Sequence, residues 1–290
     1  MMNKLILFLT GFIIISAHHS SAQSASPNSL LWEISGKGLK QPSYLFGTIH
    51  MICKDDFTMT ESTRNKWKNA DQVFLELDMD DPKLQLQLMK VMQLPKGTTL
   101  KSIFSEEGYL KLDQFFKEKV GMSVAAINGY KPMMVMSLLY QKLLPCKEMA
   151  SYETEFMSMA KDRKKDILGL ESIEAQMLVF DSIPDKQEAA LILEMIDDAK
   201  KQNNELEKMI DLYKQKDVEA LYRFTIESPS SLGNEELFLH SRNRNWIPVM
   251  QAALQKGTCF FAVGAAHLGG NEGVISLLRK AGYTVKPVQD

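Results

Sequence analysis

The chain has little of what marks a nucleic-acid binder, a membrane protein or a disulfide scaffold. Its 290 residues carry a formal net charge of −2. No acidic or basic tail stands out, so neither nucleic acid nor an anionic membrane surface is an expected partner. Three cysteines are too few for a dense framework of bridges. Past Ile15 no apolar stretch is long enough to span a bilayer. HExxH, CxxC, GxSxG, Walker and GxGxxG patterns are all missing. Standard zincin, thioredoxin-like, α/β-hydrolase and nucleotide-binding readings therefore lose support.

What is present begins with a leader. Lys4 supplies a positive start, Leu5 to Ile15 form a short apolar run, and Ser20 and Ala22 offer small residues before a cut. That pattern predicts a secretory signal over residues 1–22, cleaved after Ala22, and a secreted or periplasmic mature chain over 23–290. The alternative, an uncleaved anchor, is disfavoured by the polar "SAHHSSAQS". No cysteine stands at the cut, which disfavours a lipoprotein. His18 and His19 leave with the leader. Export admits a disulfide. Cys259 opens the apolar "CFFAVGAA" and reads as a buried strand residue, whereas Cys53 and Cys146 sit in polar, loop-like surroundings. A Cys53–Cys146 bridge is expected, against the alternative of three free thiols.

With 45% hydrophobic residues the chain can bury a full core, as one large domain or two small ones. "LLWEIS" and "SYLFGTIH" read as strands joined by the turn "GKGLKQP", a hairpin. Another strand runs from Val73 to Leu77. From Pro82 to Lys165 the texture is helical, with one stripe at Leu84, Leu88 and Val91 and another at Leu110, Phe115 and Phe116. This reads as a helical insertion in the first half. The 18 methionines read as flexible core filling rather than a binding groove. "KKDILGLES" is a strand ending in Glu171. Two polar, amphipathic helices follow over Asp185–Gln202 and Glu205–Gln215, then a long helix that Asn234 can cap and that runs through Leu254. "TCFFAVGAAHL" is the last long buried strand. Strands alternating with helices predict an α/β fold, with a mixed central β-sheet flanked by helices because of the early hairpin.

The chemistry gathers at strand ends. Two apolar strands each finish in Gly-x-x-His: Gly47 to His50, and Gly264 to His267. Sites in α/β sheets form where strands leave the core, and a glycine there lets another backbone or a ligand approach. Glu76 lies in a buried strand, where a carboxylate is expensive unless it meets a cation. It reads as metal ligand or general base, or as the partner of an inward Arg. Glu171 has the same character. In "ELFLHSRNRNWIPVMQAAL", Leu239, Trp246, Met250 and Ala253 form a helical stripe. Asn243 falls on it, Arg242 borders it and Arg244 faces away. Arg242 can neutralise a carboxylate or stabilise negative charge on a substrate; a structural pair with Asn243 is the other reading. Two imidazoles with one or two carboxylates compose a divalent-metal shell able to activate water.

Together, "YLFGTIHM", "FLELD", "LGLESIEAQ", "SRNRNW" and "FFAVGAAHLGGNEGVISLLRKAGYTV" resemble the TraB/GumN family, which includes the Tiki proteins, across essentially the whole mature chain. The resemblance implies two GxxH motifs, the acidic residue Glu76, the "LGLE" glutamate Glu171 and an RNxxW motif at Arg242, Asn243 and Trp246. It implies an erythromycin esterase-like/Tiki-like superfamily fold. It also implies a metal-dependent peptidase, with manganese or cobalt preferred in Tiki members and zinc not excluded by the residues, acting on a peptide or protein substrate. The TraB branch is linked instead to shutting off a peptide pheromone response, and other superfamily members are esterase-like or bind haem. Cys53 and Cys146 are not part of the general motif set; bridged, they tie the helical insertion to the loop after His50. The leading expectation is thus an exported metallohydrolase with His50, His267 and Glu76 as ligands and Glu171 and Arg242 supporting them. A non-catalytic peptide- or small-ligand-binding protein and a metal-free esterase are the alternatives.

Overall fold

A computed structural model describes residues 28–143, 146–228 and 234–289; the expected signal over 1–22 lies outside the described residues. Among the described residues there are eight strands: β1 (Leu31–Ser35), β2 (Ser43–Thr48), β3 (Ile52–Cys53), β4 (Gln72–Leu75), β5 (Met149–Ala150), β6 (Ile167–Gly169), β7 (Cys259–Gly264) and β8 (Thr284–Pro287). The helices in the first half are α1 (Glu61–Asn69), α2 (Leu84–Val91), α3 (Leu100–Ile103), α4 (Glu106–Phe115), α5 (Pro132–Leu143) and α6 (Tyr152–Arg163). Those in the second half are α7 (Ile173–Asp181), α8 (Asp185–Asp197), α9 (Ala199–Lys214), α10 (Val218–Glu227), α11 (Ser241–Leu254) and α12 (Val274–Lys280).

Six strands form one mixed sheet in the order β6-β4-β7-β2-β1-β8. β6, β4, β7 and β2 are mutually parallel, while β1 pairs antiparallel with both β2 and β8. The expected hairpin is β1–β2. Central parallel strands are covered on both faces and so read as continuous apolar runs rather than alternating ones. All six residues of β2 are buried, and so are the first five of β7. Phe260 and Phe261 are fully enclosed, and each such side chain contributes about 1.5–3 kcal/mol on leaving water. Phe46 and Phe156 pack beside Phe260, and Tyr152 packs on both of them, which joins α6 to the sheet.

The order of the strands positions the candidate site. The chain lays down β2, then β4, then β6, and fills the gap between β2 and β4 last, with β7. The four parallel strands therefore end on the same edge of the sheet. Beyond those ends come His50, Glu76, Glu171 and His267.

The structure corrects three local expectations. β4 ends at Leu75 rather than Leu77, because the Leu170 and Glu171 N–H groups both converge on the Glu76 carbonyl (3.1 and 3.0 Å), which breaks the ladder. Glu76 and Glu171 thus stand just past their strands. In α4 the buried positions are Gly108 and Leu112, continued by Phe116, while Leu110 is 62% exposed. Leu110 and Phe115 lie about 140° apart around a helix, whereas Leu112 and Phe116 share a face. Leu88 on α2 is also exposed, although Leu84 and Val91 pack against a small cluster with Ile173 and Met177.

The bridge expected from the sequence is present, Cys53 to Cys146 across 93 residues. It flanks the small antiparallel ribbon β3–β5, in which Cys53 faces Met149. Cys259 is a free, buried thiol in β7, which burial pushes up to about 12. Among the described residues no helix is long and apolar enough to cross a membrane.

Candidate active site

His267 lies in a single 3₁₀ turn, Ala265–His267, that follows β7 directly. Gly47 makes room for that turn: a Cβ at Gly47 would meet Leu268 Cδ1 at 2.9 Å and the Ala265 Cα at 3.1 Å. The glycine in the first motif therefore serves the histidine of the second. The His267 ring is buried and its tautomer is fixed by Asn243. The Asn243 amide Nδ2 donates to the carbonyls of His267 (3.3 Å) and Glu272 (2.8 Å), which turns its Oδ1 toward His267 Nδ1 at 2.6 Å. An amide oxygen only accepts, so Nδ1 carries the hydrogen and Nε2 presents a lone pair. Desolvation, reinforced by the positive charges of Arg242 and His50 and opposed by Glu76, lowers His267 to about 3. The ring is neutral at physiological pH.

His50 is held in the same way by a different residue. Its Nδ1 lies 2.9 Å from Glu153 Oε1, which also accepts from Thr48 Oγ1 at 2.9 Å. Ser151, the N-cap of α6, donates to Glu153 Oε2 at 2.7 Å. A carboxylate in the first turn of a helix is favoured by the helix dipole. Desolvation acts against the charged ring, but the hydrogen bond and charge of Glu153, with the charge of Glu76, raise His50 above the ordinary histidine value. The side chain is 66% open to solvent, which weakens those charge effects. Glu153 was not found by sequence reasoning. Its one local signal was a polar cap followed by an acidic first turn, a pattern shared by ordinary helix starts; the ribbon and the bridge are what carry it to His50.

Glu76 sits between the two histidines. Its Oε1 accepts the Gly264 N–H at 2.8 Å and lies 3.9 Å from His267 Nε2. Its Oε2 accepts Arg242 Nη2 at 2.6 Å and faces Gln176 Nε2 at 3.4 Å. Burial opposes ionisation, yet the charges of His267, Arg242 and His50 and the Gly264 N–H hold the carboxyl well below the usual range. Since His267 is itself neutral at physiological pH, Arg242 is the charge in direct contact that persists there. Gly264 has a distinct part from Gly47. A Cβ on it would stand 3.4 Å from Glu76 Oε1, 3.5 Å from His267 Cδ2 and 3.8 Å from His50 Nε2. The missing methyl is the space that these three side chains surround.

Arg242 organises the other side. α11 is preceded by a π-helical turn, Glu236–His240, of a kind often found at functional sites. Arg242 Nη1 donates to the Phe238 carbonyl of that turn and lies 3.2 Å from His267 Nε2. Nε and Nη2 both engage Glu171, whose carboxylate also accepts from Trp246 Nε1 (3.2 Å) and Gln176 Nε2 (3.1 Å). The Trp246 ring lies 4.5 Å from the His267 ring and 4.9 Å from the Arg242 guanidinium carbon. The RNxxW residues thus act at one place: Arg242 on the carboxylates, Asn243 on the His267 tautomer, Trp246 beneath both. Arg244, expected to face water, is exposed but pairs with Glu236 and Glu272.

The structure brings His50, Glu76, Glu171, Arg242, Asn243 and His267 together at one strand edge. Cys53 and Cys146 lie apart, their bridge beside the ribbon that leads into α6 and Glu153. The donor set suits a divalent ion in kind: two imidazoles oriented through Nδ1 and one ionised carboxylate around an open cradle. It is not gathered as a finished shell, since among the described residues no three His, Cys, Asp or Glu side chains converge as a metal-binding group. Arg242 lies against His267 Nε2 instead. The cluster opens into a cavity of about 450 Å³ lined mainly by apolar groups, among them Leu206, Met209, Leu221, Phe224 and Leu239.

The chain matches the TraB/PrgY/gumN family model over residues 30–287. Curated relatives include "Metalloprotease TIKI2" of Danio rerio, 23% identical over 335 residues that cover 93% of this chain and 64% of that protein. The "Metalloprotease TIKI homolog" of Amphimedon queenslandica is 22% identical over 97% of this chain and 66% of its own length. "Uncharacterized protein YbaP" of Escherichia coli (strain K12) is 24% identical over 81% of this chain and 87% of its own. The chain therefore spans about two thirds of the metalloproteases it resembles and most of YbaP. No solved structure matches it.

Proposed function

The chain belongs to the TraB/PrgY/gumN family, and on that footing we propose that it is an exported, metal-dependent hydrolase that cleaves peptides. One observation carries the reading: two histidines, each oriented through Nδ1, flank the ionised Glu76 around the cradle left by Gly264. His50 and His267 would hold the ion through Nε2, with Glu76 Oε1 as third donor. Manganese, cobalt and zinc all suit such a set. When bound, the ion supplies an acidified water and a Lewis acid beside the scissile carbonyl.

The protein's own groups do the rest. Glu153 and Asn243 orient the two rings. Glu76, held well below the usual carboxylate range, stays ionised at neutral pH and is suited to ligation and charge balance. Glu171 positions Arg242 at the wall of the cavity, where its positive charge favours the negative charge that a tetrahedral oxyanion gathers. The apolar cavity beside the cluster admits bulky side chains and excludes water from them. The Cys53–Cys146 bridge supports residence in an oxidising compartment, in keeping with the signal expected at residues 1–22. The metalloprotease names of relatives support the peptidase assignment.

A competing reading, a non-catalytic protein that sequesters a peptide or small ligand, draws on the same cavity and on the contact of Arg242 with His267 Nε2. Screening the mature chain against a peptide library with and without chelator separates the readings. Hydrolysis that stops on chelation, with circular dichroism unchanged, and returns with manganese, cobalt or zinc supports the proposal. Hydrolysis that survives chelation points to a metal-free esterase-like site. Binding without turnover, with or without added metal, points to the sequestering protein.

A further inference from the structure

A second cavity, of about 220 Å³, lies outside the histidine cluster; a single water needs only ~15 Å³. Its apolar walls are Leu94, Pro95, Met133 and Phe180, and its charged groups are Lys131, Asp181, Asp185 and Glu188. Glu188, on α8, is only 5% exposed. Its carboxyl makes no hydrogen bond or ion pair among the described residues. Lys131 Nζ is engaged by Asp181, and Asp185 adds a further negative charge. The cavity thus holds three carboxyls and one ammonium, with the most deeply buried carboxyl unpartnered. Burial, with the charges of Asp185 and Asp181 and against that of Lys131, raises Glu188 to about 7.

A buried carboxylate without a partner is costly, and a cation placed against it removes that cost. Of the possible cations, a bare metal ion is disfavoured, because Lys131 already neutralises Asp181 and places a positive charge beside the carboxyls. The remaining surface is apolar, which suits a charged head on an alkyl stem.

We propose that this cavity binds an alkylammonium or alkylguanidinium group, its head on Glu188 and its stem against Leu94, Met133 and Phe180. Phe180 also lines the cavity beside His50 and His267. The two cavities thus share a wall, and a lysine or arginine side chain of a peptide bound beside the histidine cluster is one source of such a group, an attribution that rests on the peptidase reading. A free polyamine presents the same chemistry.

Calorimetry on the mature chain, with n-butylammonium and n-butylguanidinium as probes and 1-butanol as neutral control, tests the site without any need for turnover. Both cations should bind at least about tenfold more tightly than butanol, the size of one charge-assisted hydrogen bond. Glu188→Gln keeps the shape and should lose that advantage. Lys131→Met frees Asp181 and should strengthen binding. Cations no better than butanol, or unchanged binding in Glu188→Gln, would overturn the proposal. The source is read from two further arms. A hydrolysed peptide whose KM rises about tenfold when its lysine becomes norleucine, with kcat unchanged, identifies a peptide side chain. Spermidine that binds through Glu188 while peptide KM ignores the lysine identifies a polyamine. Failure of all peptide hydrolysis would count against the peptidase reading, and the calorimetry would still decide the cavity.

Discussion

Replacing Arg242 by lysine keeps the charge and removes the fork. In the structure the guanidinium spans two buried carboxylates, with Nε and Nη2 on Glu171 and Nη2 on Glu76, and it also donates to the Phe238 carbonyl. A lysine ammonium is a single point on a flexible stem and can satisfy one carboxylate well. The other is left buried with neutral donors alone, Gly264 N–H and Gln176 for Glu76 or Trp246 and Gln176 for Glu171. Losing two charge-assisted bonds at ~1.5 kcal/mol each gives about 3 kcal/mol, which matches the lower end of what unpairing a buried charge costs. For a chain of this size that is a fall in Tm of about 6–12 °C. Activity should fall further than stability alone explains, because a single ammonium no longer holds Glu76 and Glu171 together at the cavity wall. Arg244→Lys is the control: its pairs with Glu236 and Glu272 are solvent-exposed, so it should change stability by less than ~0.5 kcal/mol. The assay is urea denaturation of both variants beside the parent, followed by turnover of the best library peptide. Equal stability and equal activity in the two lysine variants would show that the bidentate geometry of Arg242 is irrelevant.

Three further outcomes are expected. Replacing both Cys53 and Cys146 by serine opens a closed loop of 93 residues; the chain-entropy argument sets an upper figure of about 4–5 kcal/mol, and a loss in urea of less than ~1 kcal/mol would contradict it. Asn243→Ala frees the His267 tautomer and should weaken divalent-metal binding by about 10–100-fold, read by competition with a metal indicator dye; unchanged affinity would remove Asn243 from the site's support. Glu188 is raised from 4.5 to about 7, so the folded state holds a proton there that the unfolded state has lost. Its contribution is complete below about 4.5 and disappears as pH rises through about 7. Allowing for the water that reaches its cavity, Glu188→Gln should gain about 1.5 kcal/mol over the parent between pH 5 and pH 8. Parallel urea midpoints at the two pH values would contradict that.

The place of His50, Glu76, Glu171 and His267 at strand ends was legible because apolar runs mark buried strands. Their roles were not: a strand-end histidine is as readily structural, and Glu76 does meet the inward Arg242 that the structural alternative required. Asn243 and Arg242 were legible from their place on and beside an apolar helical stripe, and Asn243 is indeed as buried as Trp246 and Met250. The order of the strands was not legible. β7 enters between β2 and β4 across nearly 200 residues, and nothing local in "CFFAVG" specifies its neighbours. Glu153 was hidden for the same reason, since its partner His50 lies 103 residues earlier. The case of Leu110 is different: it lies about 140° around the helix from Phe115, so the two apolar residues do not share a face, and Leu110 points to solvent.

Metal content decides most of the account. The mature chain, purified without added metal, is equilibrated with one equivalent of manganese, cobalt or zinc, passed through a desalting column and analysed by inductively coupled plasma mass spectrometry. The parent should retain about one ion per chain. His50→Ala and His267→Ala should each lose it while their circular dichroism matches the parent's. Retention undiminished in both variants, or no retention by the parent with any of the three metals, would contradict the assignment of His50, His267 and Glu76 as a metal site.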